Sequence, residues 1–125
     1  MHAMIIEKNE ATRNYICNLF NYTDVETSTY HDTLYALDDL YNQRVKPYII
    51  YLDAMENTME ALQFMELLIR HEEYRNIPVV VMMSQKASFA IESRFRENAT
   101  MLIRKPLNVD SIMKALEKVY YTHAG

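Results

Sequence analysis

Short apolar runs alternate with stretches in which apolar residues recur every three or four positions, and this alternation continues along the whole chain. The short runs predict buried β-strands, and the three-to-four spacing predicts amphipathic helices. The run from Val79 to Met83 has five consecutive apolar residues, which is typical of a central parallel strand buried on both faces. Strands are predicted at residues 3–7, 25–28, 48–52, 79–83 and 100–103.

A helical pattern follows each predicted strand. Asn9 and Asn108 stand where the N-caps of the first and last helices are expected, and the other three helices are predicted at 32–42, 59–70 and 87–97. The spacing also predicts which helical residues face the core: Ile16, Leu19, Phe20, Leu34, Leu37, Leu40, Tyr41, Leu62, Met65, Leu68, Ile69, Val109, Ile112, Met113, Leu116 and Val119.

Strands that alternate with helices in this way imply parallel βαβ units. Because such crossovers are right-handed, the helices are expected on both faces of the sheet. The length of 125 residues is typical of one domain, so the sequence predicts a single α/β domain with a doubly wound parallel sheet over residues 1–125.

Composition narrows the classes of function. The chain has 17 acidic and 13 basic residues, and a net charge of −4 disfavours binding to phosphate backbones, so no nucleic-acid partner is expected. Its one cysteine, Cys17, permits no internal disulfide, which favours a reducing compartment. No signal-peptide pattern is present, and no apolar run approaches the roughly 18 residues of a membrane span. We therefore expect a cytoplasmic protein with no membrane partner.

Glycine is almost missing from the sequence, since Gly125 is the only one. Glycine-rich phosphate loops need several positions without a Cβ, so that backbone amides can close around the phosphate. The sequence therefore excludes a P-loop nucleotidase and a dinucleotide-binding enzyme of the glycine-fingerprint type.

Charged residues stand at the ends of three predicted strands. Glu7 and Lys8 come at the end of the first, Asp53 ends the third, and Lys105 follows the fifth. Ligands of open parallel sheets gather at the carboxyl ends of the strands, where the strand order reverses. These side chains are therefore the candidates for chemistry.

The order of these motifs resembles the receiver domain of two-component response regulators over nearly the whole chain. The segments that carry the resemblance are YIIYLDAMENTMEAL, IPVVVMMS and LIRKPL. The resemblance implies a flavodoxin-like fold with strand order 2-1-3-4-5. It also implies that Asp53 is the phospho-acceptor, that Lys105 contacts the phosphoryl group, and that the Lys105–Pro106 bond is cis.

Receiver domains usually carry two adjacent acids after the first strand, which help to hold Mg²⁺. Here these positions are Glu7 and Lys8. The implied metal ligands are Glu7, Asp53 and the backbone carbonyl of Met55, with weak or absent Mg²⁺ binding because Lys8 replaces an acid. Glu7, Asp53, Lys8 and Lys105 sum to zero charge, whereas a full receiver site is at about −2 before the metal binds. Lys8 is therefore predicted to take the place of the cation, with a solvated loop lysine as the alternative. For Glu7, the alternative to a metal ligand is a side chain that simply faces solvent.

Two further positions depart from the receiver pattern. The Ser or Thr that ends the fourth strand is matched by Met83, which cannot donate a hydrogen bond and is predicted to pack in the core. Ser84 would replace it only if the register shifts by one residue. The aromatic residue of the fifth strand is matched by Leu102.

The leading interpretation is a stand-alone, atypical receiver in phosphorelay signalling, with a sensor histidine kinase or another signalling protein as partner. The alternative is an interaction module that has the receiver fold and needs no phosphorylation. A homodimer through the last two helices and the fifth strand is the oligomer that the resemblance implies. An aspartate-nucleophile phosphatase usually needs a second Asp two residues after the nucleophile, and Met55 stands there, so no enzyme is expected.

Overall fold

The computed structural model describes residues 1–54 and 58–124, with the backbone alone for 121–124. Within this part of the chain, five parallel strands form one sheet in the order β2-β1-β3-β4-β5. The strands are β1 (His2–Ile6), β2 (Glu26–Tyr30), β3 (Ile49–Asp53), β4 (Val79–Met83) and β5 (Met101–Arg104). The predicted fold class and strand order are confirmed; the bounds of β4 are as predicted, and those of the other strands differ by one or two residues.

Five helices connect and follow the strands. They are α1 (Glu10–Phe20), α2 (Thr33–Tyr41), α3 (Thr58–Arg70), α4 (Phe89–Arg96) and α5 (Val109–Ala124). Among the described residues, four side chains that precede a helix each accept a hydrogen bond from a backbone N–H in the first turn, as an exposed helix start requires: Asn9 for α1, Asp32 for α2, Ser88 for α4 and Asn108 for α5. None of the described helices is long and apolar enough to cross a bilayer.

The sheet separates two apolar cores. Ile50 and Leu52 of β3 pack with α2, α3 and α4 on one face, while Ile49 and Tyr51 pack with α1 and α5 on the other. Successive side chains of a strand point to opposite faces, so the five-residue apolar strands serve both cores. The buried hydroxyl of Tyr51 donates to the backbone carbonyl of Ile112 in α5 at 2.9 Å, which ties the strand that ends in Asp53 to the last helix.

The predicted inward face of α2 is partly wrong. Leu34 is 72% exposed and Tyr41 is 47% exposed, whereas Thr33, Ala36 and Leu40 make the buried face. The hydroxyl of the buried Thr33 donates to the partly buried Glu60 of α3, and this hydrogen bond lets a polar residue take an inward position. Two further residues predicted to face inward, Ile69 of α3 and Val109 of α5, are 39% and 52% exposed.

Candidate functional site

Three of the charged residues predicted at strand ends lie together at the carboxyl edge of the sheet. Glu7 directly follows β1, Asp53 ends β3, and Lys105 directly follows β5. The Nζ atom of Lys105 lies 2.5 Å from Oε1 of Glu7 and 3.3 Å from Oδ1 of Asp53. One ammonium therefore contacts two carboxylates that come from different strands.

The backbone of the sheet holds these three residues in place. The ladder hydrogen bonds continue one residue beyond the strands: Glu7 N–H to Tyr30 C=O (2.9 Å), Ala54 N–H to Met82 C=O (3.0 Å) and Lys105 N–H to Met83 C=O (2.7 Å). The Lys105–Pro106 peptide bond is cis, as the resemblance implies. The site is thus built on rigid strand ends rather than on mobile loops.

Glu7 is the buried acid of the group, with 1% of its surface exposed. Its Oε2 accepts a hydrogen bond from the N–H of Asn9 at 3.3 Å. Burial, a hydrogen bond with the Asp53 carboxyl and the negative charge of Asp53 together raise the pKa of Glu7 to about 7, while Lys105 acts in the opposite direction. The alternative in which Glu7 faces solvent is wrong.

An arginine that the sequence analysis missed supports the loop between β1 and α1. The Nη1 atom of Arg13 donates to the carbonyls of Glu7 at 2.8 Å and Lys8 at 3.2 Å. Arg13 lies one helical turn after the N-cap Asn9, and this spacing could have indicated in the sequence that its side chain reaches the preceding loop. Its contacts fix the backbone from which the Glu7 carboxyl projects.

An open cavity of about 220 Å³ lies beside Asp53. Its lining includes Lys8, Thr33 and Glu60, and the exposed Lys8 stands at this opening. Thr33 donates its hydroxyl to Oε1 of Glu60 at 2.7 Å, which joins the first turns of α2 and α3 next to the site. Thr33 and Glu60 were not predicted, because both lie inside helices rather than at strand ends.

The side chains described at this edge fit Mg²⁺ poorly. The two carboxylates at the strand ends, Glu7 and Asp53, both already contact Lys105. Two further carboxylates line the cavity, and they accept hydrogen bonds from helix starts: Glu60 from the Thr33 hydroxyl and Asp32 from the N–H of Tyr35. Mg²⁺ requires a near-octahedral shell of oxygens at about 2.1 Å, so a bound ion would have to displace the ammonium. No group of three or more His, Cys, Asp or Glu side chains suited to a metal occurs among the described residues, and the predicted carbonyl ligand, Met55, lies outside them.

The last residue of β4 is Met83, which has no hydroxyl to offer at the carboxyl edge. Met83 is 1% exposed and packs in the core, as predicted. The hydroxyl of Ser84 accepts a hydrogen bond from the N–H of Lys86 at 3.1 Å. The backbone carbonyl of Ser84 accepts one from Arg104, also at 3.1 Å. Leu102, at the position of the receiver aromatic residue, is partly buried against the same core as Met83.

Comparisons with known proteins find similar solved structures but no similar sequence family. No family model matches the chain, and no curated protein matches it by sequence. Solved structures do match. A two-component response regulator from Legionella pneumophila is 19% identical with a TM-score of 0.84, and the match covers 97% of this chain and 98% of that one.

Two other solved structures give the same result. The signal receiver domain of a signal transduction histidine kinase from Syntrophus aciditrophicus is 16% identical with a TM-score of 0.83, over 98% of this chain and 91% of that one. NtrX from Brucella abortus is 19% identical with a TM-score of 0.81, over 97% of this chain, which spans only 26% of the NtrX chain. The chain therefore has the flavodoxin-like receiver-domain fold.

Proposed function

We propose that the chain is an atypical receiver module of phosphorelay signalling in which Asp53 accepts a phosphoryl group. The observation that supports this is the contact of the Lys105 ammonium with Asp53 at 3.3 Å and Glu7 at 2.5 Å, at the switch edge of a receiver fold. The Asp53 side chain is 10% exposed and borders an open cavity, so a donor has a route to it.

The proposed reaction is a transfer to a carboxylate oxygen. An Oδ atom of Asp53 attacks the phosphorus of an acyl phosphate or a phosphohistidine. A new P–O bond forms while the bond from phosphorus to the donor oxygen or nitrogen breaks, and the donor group leaves with that electron pair. The Lys105 ammonium stabilises the charge on the phosphoryl oxygens, because a fixed cation next to the acceptor offsets the approach of two anions.

We propose that Mg²⁺ binds this site weakly. The metal supplies charge neutralisation to phosphoryl transfer when it is bound. Lys105 already supplies one positive charge to Glu7 and Asp53, and Lys8 stands at the usual position of an acidic ligand. The prediction that Lys8 takes the place of the cation is part of the same proposal.

A second candidate function is an interaction module that uses the receiver fold without phosphorylation. It is favoured by the end of β4, where Met83 is buried and the Ser84 hydroxyl is engaged within its own loop. A thioether cannot donate a hydrogen bond to a phosphoryl oxygen. In either case we propose a sensor histidine kinase or another signalling protein as partner, a cytoplasmic location, and no turnover of phosphate esters.

The test is incubation with acetyl phosphate, with and without Mg²⁺, followed by intact mass measurement. The proposal predicts a gain of one phosphoryl group in the native chain and none in Asp53→Asn. Asp110→Asn is the matched control, since the Asp110 side chain is 74% exposed at the start of α5, and it should label like the native chain.

Either of two results would reject phosphorylation at Asp53. One is a native chain that stays unlabelled under conditions that label the Legionella regulator. The other is an Asp53→Asn variant that labels as strongly as Asp110→Asn. The first result would favour the interaction module, and the predicted dimer through α4, β5 and α5 would then be examined by sedimentation.

A further inference from the structure

Exposed apolar side chains line the junction between α2 and α3. Leu34 is 72% exposed, Tyr41 is 47% exposed and Leu67 is 37% exposed. Leu37 lies between Leu34 and Tyr41 and packs in part against the core. Positions 34, 37 and 41 follow the three-and-four spacing of one flank of a helix, so they form a continuous apolar row.

This flank of α2 faces α3. At one end of α2, the Thr33 hydroxyl binds Glu60, the third residue of α3, at 2.7 Å. At the other end, the ring of Tyr41 lies 5.9 Å from the ring of His71, which directly follows α3. Leu34, Leu37, Tyr41 and Leu67 are hereafter called the α2–α3 groove.

Contacts between α2 and α3 hold the side chains of the α2–α3 groove in place in the free protein. Besides the contacts of Thr33 and Tyr41, the hydroxyl of Tyr74 donates to the carbonyl of Leu40 at 2.7 Å, and the Tyr74 ring stacks on His71 with centroids 4.2 Å apart. The two helices are thus joined at both ends. A rigid groove binds a partner with less loss of conformational entropy than a mobile one.

The charge around the groove points to the chemistry of its partner. Segments 32–44 and 58–76, which contain the two helices and their flanks, have seven acidic and three basic residues, so they carry the whole net charge of −4 of the chain. Two of the three bases are engaged locally: Arg44 pairs with Asp38 and Asp39, and Arg70 pairs with Glu66. A partner with positive charge is therefore attracted, whereas a second copy of this face would be repelled.

We propose that the α2–α3 groove docks a basic amphipathic helix of a partner protein. The apolar side chains of the partner would lie along Leu34, Leu37 and Leu67, and its Lys or Arg residues would be attracted by the acidic residues of segments 32–44 and 58–76. The row from Leu34 to Tyr41 is about 10 Å long, which matches two turns of a helix laid along it. The proposal goes beyond phosphorylation at Asp53 and does not require it.

The test uses the full chain, labelled with ¹⁵N, and a synthetic amphipathic helix of Leu and Lys as the probe. Amide shifts should move in α2 and α3, and binding should weaken as salt is raised. A peptide of the same pattern with Glu in place of Lys should bind far more weakly. Leu34→Gln and Leu67→Gln should each weaken binding of the Lys peptide by about tenfold, the effect expected for an interface anchor.

Phe89→Gln is the matched control, because Phe89 is an 81% exposed apolar residue on α4, outside the groove. Leu34 and Phe89 are both exposed, so the variants should keep the native circular dichroism spectrum. The proposal is overturned if Phe89→Gln weakens binding as much as Leu34→Gln, or if the Glu peptide binds equally well. It is also overturned if Leu34→Gln dissociates a dimer of the native chain, since the groove would then hold a second copy.

Discussion

At the scale of single residues, the balance of charge at the carboxyl edge depends on Lys105. The Lys105 ammonium is shared between Glu7, which is 1% exposed, and Asp53, while Lys8 stands at the open cavity beside Asp53. Burying a carboxylate is costly, and the nearby Asp53 adds to this cost, so the carboxyl group of Glu7 responds by keeping its proton. The pKa of Glu7, raised to about 7, is that response.

This pKa predicts how stability depends on pH. Because Glu7 keeps its proton in the folded chain up to about pH 7, but loses it near pH 4.5 when unfolded, its contribution is fully present below pH 4.5 and is lost as pH rises to about 7. Glutamine does not titrate, so the Glu7→Gln variant does not undergo this loss of stability as the pH rises. The free energy of unfolding of the variant, relative to the native chain, should therefore rise between pH 4.5 and pH 7, as measured by urea denaturation at each pH.

Glu10→Gln is the control, because Glu10 is an exposed acid in the first turn of α1. Its difference from the native chain should not rise over the same range. A difference for Glu7→Gln that stays flat or falls would contradict the raised pKa of Glu7.

The strand ends could be predicted from the sequence, and the residues around them could not. Glu7, Asp53 and Lys105 were found because a parallel sheet brings its carboxyl ends to one edge. Arg13, Thr33 and Glu60 reach the same edge from within helices, where a polar residue in the sequence looks like an ordinary surface position. Which helical residues turn toward the edge depends on packing, which the spacing of apolar residues does not specify.

At the scale of elements, Arg104 connects β5 to the loop that follows β4. Its Nη1 atom donates to the carbonyls of Ser84 (3.1 Å), Gln85 (3.3 Å) and Ala87 (3.4 Å). Its Nη2 atom pairs with Glu92 of α4 at 3.2 Å. One side chain thus holds both the loop and the helix against the strand that leads to Lys105.

Removing this side chain should loosen the loop. Arg104→Ala removes one donor from each of three carbonyls, although the carbonyl of Ser84 keeps its bond from the N–H of Ala87. Amide hydrogen exchange over residues 84–88 should therefore accelerate, with a loss of about 1 kcal/mol in the free energy of unfolding. Arg96→Ala is the control, because Arg96 also pairs with Glu92 but has no bond to the loop carbonyls. Equal exchange rates in the two variants would show that Arg104 does not hold the loop.

The helices and strands were predicted more accurately than the faces of the helices. Each strand was predicted within two residues. Four of the five described strands contain a short apolar run that a compact domain has to bury, whereas β2 (ETSTY) is mostly polar and carries a weaker signal. Leu34 and Val109 were assigned to the core from helical spacing and are exposed instead. Spacing defines a stripe on a helix, but the rotation of that stripe is set by contacts such as the one between Thr33 and Glu60.

At the scale of the whole molecule, stability should report whether a metal binds. A ligand that binds only the folded state raises the free energy of unfolding by RT ln(1 + [L]/Kd), which is about 1.4 kcal/mol when the ligand is at ten times its Kd. In the native chain, the positive charges of Lys105 and Lys8 disfavour the binding of Mg²⁺. Millimolar Mg²⁺ should therefore leave its thermal unfolding midpoint unchanged.

Lys8→Asp should reverse this behaviour. It adds a carboxylate beside Glu7 and removes one positive charge, so Mg²⁺ should stabilise the variant and raise its midpoint in thermal unfolding. Lys46→Asp makes the same change of charge at an exposed position outside the cavity beside Asp53 and should show no response to Mg²⁺. A native chain that is stabilised by millimolar Mg²⁺ would contradict the proposal that lysine replaces the metal.

The central claim is that Asp53 is the acceptor, and mapping the phosphoryl group tests it most directly. After reaction with acetyl phosphate, reduction with borohydride converts a phosphoaspartate to homoserine, and tryptic peptides are then sequenced by mass spectrometry. Asp53 is the only aspartate of the tryptic peptide 45–70, whose Lys46–Pro47 bond trypsin leaves intact. Homoserine at position 53 is the predicted result, and homoserine at any other aspartate, with position 53 unchanged, would contradict the account.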